Sequence, residues 1–274
     1  MDFMSSKSAN RIVLGAIVVL AYIFLYVPIL HITLASFSRD IVWPYPIRFT
    51  WNGYLALMKG SIYHEAFLNS TILGLGTAVI STTLATIAVL SILKYRSRYK
   101  PLILFLFLAP LFVADVLLGI STLILNGLFL EIPGNLLSAI FANVVRAFTY
   151  AMLIIATQLF RYNWKLDDAA MVFGAGPIRT FFEITLPNIW PALLGAFIVT
   201  FILSFNNLDI SFYTLGAVPT MPSVAWGSLR FGIKPELYAI AALVNAAVLL
   251  CLAVMFVLMR SGTVGFGYKE GRDD

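Results

Sequence analysis

Long apolar runs constrain this chain more than any other feature of its sequence. A helix needs roughly 20 apolar residues to cross a hydrocarbon core of about 30 Å, and six stretches are long enough. The predicted spans are Ile12–Phe37, Ala66–Leu93, Pro101–Leu125, Leu136–Phe160, Trp190–Phe212 and Leu237–Met259. With 61% hydrophobic and 11% charged residues, the chain lacks the composition of an ordinary soluble surface. The sequence therefore predicts an all-α membrane protein with six transmembrane helices.

Basic residues predict how those helices are oriented. The first run is too long for the apolar region of a cleaved signal peptide and lacks a small-residue cleavage site, so we expect it to be retained. Six crossings then place both termini on one side. That side holds Lys7, Arg11, Lys94, Arg96, Arg98, Lys100, Arg161, Lys165, Arg179, Arg260, Lys269 and Arg272. The opposite loops hold only Arg39, Arg48, Lys59, Arg230 and Lys234. The bias predicts cytoplasmic termini for a multi-pass membrane protein.

Composition also removes several kinds of function. Cys251 is the sole cysteine, so a disulfide within the chain is impossible. His31 and His64 lie too far apart in sequence to indicate a metal pair, and we assign no metal site. The pI is near 9.3, but the basic residues fall at the ends of apolar runs rather than on a face typical of nucleic-acid binding. We see no repeat and no linker, and we treat residues 1–274 as a single transmembrane domain.

A polar segment between the fourth and fifth spans, DDAAMVFGAGPIRTFFEITLP, predicts a compact elbow. Either Asp167 or Asp168 is a good helix N-cap for a short helix ending at Phe173, where Gly174 and Gly176 stop it. Pro177 is well placed to begin a second short helix, Ile178–Glu183. Pro187 is then expected to close the segment before the chain re-enters the membrane at Trp190.

The first elbow helix combines small and large apolar residues. Ala169 and Ala170 stand beside Met171, Val172 and Phe173. An apolar patch on the cytoplasmic face indicates a docking surface for a partner. The alternative is a helix that rests on lipid headgroups.

The elbow carries a specific family pattern. Asp168-Ala-Ala is followed after three residues by Gly174, after nine more by Ile184, and after one more by Leu186-Pro187. This spacing resembles the EAA loop in permease subunits of bacterial ABC importers that depend on a binding protein. Asp168 stands where that family usually has Glu. The resemblance extends over about residues 66–257.

The resemblance implies a fold, a role and partners. It implies the type I ABC importer permease fold, with a coupling helix in the loop 161–189 that seats in a groove of a cytoplasmic ATPase dimer. The implied ATPase-coupling positions are Asp168, Ala169, Ala170, Gly174, Ile184, Leu186 and Pro187. The sequence lacks a Gly-rich Lys-Ser/Thr phosphate loop. We therefore expect a transport subunit that is not an enzyme and binds no cofactor, with ATP and Mg held by the partner ATPase.

Polar residues within the spans are candidates for a translocation pathway, since such groups usually face a bundle interior or water. They are Asp115, Asn143, Arg146, Asn206, Asn207 and Asp209. For Arg146 the alternative is a structural salt bridge with Asp115 or Asp209. For the adjacent asparagines the alternative is hydrogen bonding between helices.

The stretch FILSFNNLDISFYTLG is similar to the second permease subunit of spermidine/putrescine importers. In that family a Ser and an apolar residue precede two acidic residues. Here Ser204 and Phe205 precede Asn206 and Asn207, and the only acid follows at Asp209. The resemblance favours a polyamine cargo, whereas Arg146 would suit an anionic or zwitterionic one. An aminophosphonate, ferric iron or another small charged solute is the alternative.

The resemblance also implies a location in the bacterial inner membrane, a second, unlike permease subunit and a periplasmic substrate-binding protein. Trp226 and Arg230 lie in an outer segment that we expect to contact the binding protein, unless that segment rests on the membrane surface. An ATP-independent channel or a membrane scaffold would be a different class of protein. A channel leaves the elbow unexplained, and a scaffold does not require polar residues in three helices. An intramembrane hydrolase would need a Gly-x-Ser-Gly nucleophile, which the sequence lacks.

Overall fold

The structure, a computed structural model, describes residues 3–38, 49–94, 98–230, 232 and 235–260. Some of the basic residues used above to predict orientation are not among them. Arg39, Arg48, Arg96, Lys234, Lys269, Arg272 and residues 41–48 lie outside the described residues.

Helices account for nearly all of the described chain. They are α1 (Phe3–Ala35), α2 (Asn52–Lys59), α3 (Ser61–Lys94), α4 (Lys100–Leu108), α5 (Asp115–Ile124), α6 (Leu136–Leu159), α7 (Lys165–Val172), α8 (Pro177–Thr180), α9 (Leu186–Phe205), α10 (Asp209–Thr214), α11 (Met221–Leu229) and α12 (Pro235–Arg260). A 3-10 turn, Ala109–Phe112, extends α4, and π-helical turns at Leu125–Leu130 and Phe181–Thr185 follow α5 and α8.

The predicted number of spans agrees with the structure. Five stretches of the described residues are long and apolar enough to cross a membrane: Val13–Ala35, Ser61–Lys94, Leu136–Leu159, Pro177–Phe205 and Pro235–Val254. The third predicted span is instead a pair of limbs, Lys100–Phe112 and Asp115–Leu130, which meet at 97°. Pro110 lies in the 3-10 turn that ends the first limb, where the kink expected of a proline occurs.

The fifth span differs from the prediction at both ends. It begins at Pro177, because α8, the π-helical turn and α9 form one continuous stretch. Pro187 does not close the elbow. It follows a π-helical turn, where the α-helical hydrogen-bond pattern is already interrupted, so the missing N–H of the proline is tolerated there. The helix ends at Phe205 instead of Phe212, and α10 begins only at Asp209. The polar residues predicted within this helix therefore lie at a break.

The chain forms two compact units. The first comprises residues 1–61 and 225–248. Within it, Phe37 packs against Trp51 and Tyr54, with ring centroids 5.1 and 5.2 Å apart. The Ser36 and Tyr54 hydroxyls share a hydrogen bond of 2.7 Å. The apolar side chains of Val13–Ala35 are largely exposed, as expected for a helix that faces lipid or a partner.

The second unit comprises residues 62–224 and 249–274. Helix α6 packs along α9, and α10 packs against both α5 and α6. Gly119 permits the contact of α5 with α10, because an added Cβ would lie 3.1 Å from the Asp209 carbonyl oxygen. The buried apolar core lies between α3, α6 and α9. Its buried members are Ala85, Val89, Ile92, Ala151, Met152, Ile155, Leu159, Ile189, Leu193 and Ala196.

Candidate functional site: the elbow and the polar cluster

The elbow, residues 161–189, is a defined turn between α7 and α8. The N–H of Gly174 donates to the Met171 carbonyl at 3.0 Å, and that of Ala175 donates to the Ala170 carbonyl at 3.0 Å. This pair of bonds is the Schellman arrangement, which requires a left-handed residue after the helix. Gly174 supplies it with φ +89°. The predicted stop at Gly174 is confirmed, and Pro177 begins α8 as expected.

The predicted N-cap of the first elbow helix is wrong. The helix begins at Lys165, so Asp167 and Asp168 lie within its first turn rather than before it. The side chain of Asn163 accepts the Lys165 N–H at 3.2 Å and satisfies a free backbone donor. Both carboxylates keep a favourable position, because the first turn carries the positive end of the helix dipole.

The two neighbouring aspartates have different surroundings. Asp168 is exposed, whereas the Asp167 side chain is only 3% exposed. Oδ1 of Asp167 accepts the Tyr162 hydroxyl at 2.5 Å and the Thr185 hydroxyl at 3.1 Å. Nζ of Lys94 lies 3.8 Å from Oδ2. Burial, with the Asp167 hydrogen bond next in size, raises the pKa of Tyr162 to about 12, so this hydroxyl remains a donor at neutral pH.

Large apolar side chains project from the outer side of the elbow. Phe173 is 91% exposed, Val172 85% and Ile178 75%. We call these three residues the elbow patch. Large apolar side chains exposed together on one turn indicate a surface that binds a partner or a membrane.

The other predicted coupling positions are distributed around the turn. Asp168 and Ala169 are exposed near the patch, and Ala170 is partly buried. Ile184 and Leu186 are also partly buried, and Leu186 packs on the apolar core. Pro187 is exposed at the start of α9. The predicted positions thus divide into two groups. Asp168, Ala169 and Ala170 lie on α7, whereas the inner positions Ile184, Leu186 and Pro187 join the elbow to α9.

Three of the predicted pathway residues meet at the helix breaks. Asp115, the first residue of α5, forms an ion pair with Arg146 of α6. The Asn207 amide donates to Oδ2 of Asp115 at 3.1 Å, and its carbonyl oxygen accepts the Ile210 N–H at 2.8 Å. We call Asp115, Arg146 and Asn207 the polar cluster. The expected partner of Arg146 is therefore Asp115 and not Asp209, and both charges are compensated locally.

The remaining pathway candidates lie outside this cluster. Asn143 is buried and donates to the Ser211 hydroxyl at 3.3 Å. Asn206 is exposed and donates to the Ile202 carbonyl at 3.1 Å. Asp209 is exposed in the first turn of α10. The alternative of hydrogen bonding between helices holds for Asn207, which binds Asp115, but not for Asn206, which binds its own helix. Asn143 also joins two helices.

Sequence reasoning missed several residues that complete these sites. The Tyr150 ring lies 5.7 Å from the Arg146 guanidinium, and its hydroxyl accepts from Arg146 at 3.5 Å. The spacing of four residues between Arg146 and Tyr150 on one helix could have predicted this contact. Thr185 and Lys94 had no such signal, because they approach Asp167 only through the fold.

The proposed binding-protein contacts are both on the surface. Trp226 is nearly half exposed in α11, and Arg230 is exposed just after that helix ends. Their exposure leaves them available to a partner.

The family and its relatives agree with this architecture. Residues 94–261 match the family described as binding-protein-dependent transport system inner membrane component. The chain is 30% identical over 254 residues to the putrescine transport system permease protein PotI of Escherichia coli (strain K12), covering 88% of each. It is 23% identical to the spermidine/putrescine permease PotC of the same strain, covering 93% of this chain and 97% of PotC. A chain of a bacterial ABC transporter that imports alginate matches with a TM-score of 0.68 at 16% identity, covering 92% of this chain and 96% of that one.

The chain belongs to the binding-protein-dependent transport system inner membrane component family. It is a permease subunit of the ABC importer class with polyamine permeases among its relatives, and a multi-pass protein of the inner membrane.

The ion pair of the polar cluster yields a test. Arg146→Gln should lower the free energy of unfolding by about 3 kcal/mol, the lower end of the cost for a buried pair, because it leaves the Asp115 carboxylate, 13% exposed, without its partner. Thermal unfolding in detergent would measure the loss. The matched control is the double variant Asp115→Asn with Arg146→Gln, which should recover most of it. A double variant no more stable than Arg146→Gln would show that the two charges do not compensate each other.

Proposed function

We propose that this chain is one half of the pore of an ATP-driven importer. The elbow patch carries the proposal, since three apolar side chains on a rigid turn form a surface suited to a protein groove. In this proposal the elbow docks on a cytoplasmic ATPase, with Asp168, Ala169 and Gly174 beside the patch. The inner positions Ile184, Leu186 and Pro187 connect the docked turn to α9.

The mechanism is alternating access. A soluble binding protein delivers cargo at the outer face, and ATP binding closes the two ATPase subunits. Closure moves the docked elbows, and the permease halves open outward. Hydrolysis resets them. ATP and Mg are bound by the ATPase dimer, and this chain contributes no catalytic residue and binds no cofactor.

The helix breaks suit such a movement. α4 and α5 meet at a sharp bend, and α9 is separated from α10 by Asn206–Leu208. Non-helical backbone at membrane depth is tolerated where it lines a cavity or is buried in protein. Asn143 and the polar cluster lie beside these breaks, with Asn206 and Asp209 at the second one, which supports this region as the translocation pathway.

We propose a polyamine as the cargo. The named functions of PotI and PotC support this assignment. Arg146 is paired with Asp115, which weakens the case for an anionic cargo held by that guanidinium. Asp209 is exposed and offers a carboxylate to a cation. An aminophosphonate, ferric iron or another small charged solute is the alternative cargo.

Two further partners complete the importer. A second, unlike permease subunit forms the other half of the pore, and a periplasmic binding protein docks near Trp226 and Arg230. The family description, which names a binding-protein-dependent system, supports the latter.

A first test concerns the conformation of the elbow. Gly174→Val should reduce uptake per ATP hydrolysed by about tenfold while the protein remains in the membrane, because a β-branched residue resists positive φ at a cost of about 1–2 kcal/mol. The added side chain has open space, so a clash is not the cause. Uptake by vesicles containing the whole importer would measure the effect.

Two controls separate conformation from size. Gly176→Val adds the same side chain in open space at φ −69°, a conformation that residues before proline favour, and should retain uptake. Gly174→Asn should fall between Gly174→Val and the wild type, since Asn tolerates positive φ. Wild-type uptake by Gly174→Val would count strongly against the docking role.

A second test concerns the cargo. The importer, reconstituted with its ATPase, second permease and binding protein, should hydrolyse ATP faster with putrescine or spermidine than with an aminophosphonate. In addition, Asp209→Asn should weaken the response to putrescine. A response to the aminophosphonate alone would retain the importer and exclude the polyamine. Hydrolysis and uptake that never depend on each other would exclude the importer itself and favour a channel or scaffold.

A further inference from the structure

Asp167 connects the elbow to two membrane helices. It belongs to α7, yet it binds Lys94 at the last residue of α3 and Thr185 at the last residue before α9. Tyr162, in the link between α6 and α7, donates to the same carboxylate. One side chain therefore joins the two ends of the elbow to the end of α3, which is distant in sequence. We call Asp167 and these three partners the carboxylate clasp.

The buried Asp167 carboxylate has both hydrogen-bond donors and a positive charge beside it. A buried carboxylate is costly unless it is paired and hydrogen bonded. Both oxygens of Asp167 accept a bond from Thr185, at 3.1 and 3.2 Å, and the Tyr162 bond is short at 2.5 Å. Lys94 supplies the opposite charge while remaining 42% exposed. Removing Asp167 would leave two hydroxyl groups and an ammonium without their shared partner.

The carboxylate clasp and the elbow patch lie in different surroundings. Asp167 is buried, whereas Val172, Phe173 and Ile178 project outward. The neighbouring Asp168 is exposed. A partner that binds the patch would therefore reach Asp168 but not Asp167. Asp167 and Val172 belong to the same short helix, α7, which connects the clasp to the patch.

The apolar core supports the same connection. Val89 and Ile92 of α3, Leu159 of α6 and Ile189 of α9 are buried in one cluster. Tyr162 and Trp164 pack against it, with their ring centroids 5.0 Å apart. The clasp lies at the end of this cluster, where α3 and α9 meet the elbow. The elbow thus contacts packed helices at this end of the cluster.

We propose that Asp167 is a positioning residue that transmits movement of the elbow to α3 and α9 without contacting the ATPase. The proposal rests on the proposed function, because it requires an ATPase at the elbow patch. It assigns different roles to adjacent carboxylates. Asp168 belongs to the docking surface, and Asp167 belongs to the transmission.

The test compares three variants in the whole importer: Asp167→Asn, Asp168→Asn and Glu183→Gln. Each removes one negative charge from the elbow. Glu183 is the control, because its only described ion pair, with Arg179, is exposed. Two quantities are measured, namely the affinity of the purified permease pair for the ATPase and the putrescine taken up per ATP hydrolysed.

Asp167→Asn should retain wild-type ATPase affinity while uptake per ATP falls by about tenfold. Asp168→Asn should weaken ATPase affinity, and Glu183→Gln should change neither. Tyr162→Phe, a smaller change in the same clasp, should lower uptake per ATP less than Asp167→Asn does. Combining the two should add little, because both remove the same connection.

Three results would overturn the proposal. Asp167→Asn with wild-type uptake per ATP would show that the clasp transmits nothing. A loss of ATPase affinity in Asp167→Asn equal to that in Asp168→Asn would make Asp167 part of the docking surface. If Asp167→Asn fails to fold, wild-type uptake per ATP in Tyr162→Phe and in Thr185→Val would decide against the clasp. A wild-type importer that binds no ATPase would instead overturn the proposed function.

Discussion

The hydrocarbon core offers no hydrogen bonds to backbone groups, and this constraint organises the second unit of the chain. A helix can end inside a membrane only where side chains or other backbone take over the freed donors and acceptors. Asn207 does this at the start of α10, where its side-chain oxygen accepts the Ile210 N–H. Asn135 does the same before α6, where its side chain accepts the Ser138 N–H at 2.8 Å. Asn135 and Asn207 are thus placed at helix ends, whereas Asn143 and Arg146 lie within α6.

The same residues also carry charge across the breaks. Asp115 begins α5, ion-pairs with Arg146 and accepts from Asn207, so the two breaks share one compensated cluster. A buried pair contributes little net stability, but losing one member is costly. Such a cluster fixes the two breaks relative to each other.

At the other end of the unit, the elbow combines a fixed inner side with a free outer side. Asp167 fixes the inner side through Tyr162, Thr185 and Lys94. Gly174 sets the turn through its positive φ, and Phe173 is left almost fully exposed. A rigid turn with an exposed apolar side has the form expected of a lever. The family motif and the carboxylate clasp therefore belong to the same loop between α6 and α9.

The spans and the elbow could be predicted from the sequence. The features that could not be predicted were missed for physical reasons. Apolar length gave the spans, and the Asp168-to-Pro187 spacing gave the elbow with its stop at Gly174. The break after Phe205 was missed because the residues on both sides are apolar enough to continue a helix. The different surroundings of Asp167 and Asp168 were not predictable, since adjacent identical residues differ only by the direction in which the fold turns them.

The central claim is that the elbow patch binds an ATPase. The most direct measurement is disulfide crosslinking with Phe173→Cys in a chain whose only native cysteine is replaced by Cys251→Ala. The proposed docking predicts that this cysteine crosslinks to a cysteine in the groove of the co-purified ATPase, whereas Phe129→Cys, at a position that is 75% exposed on its own turn, does not. Efficient crosslinking at Phe129 and none at Phe173 would contradict it.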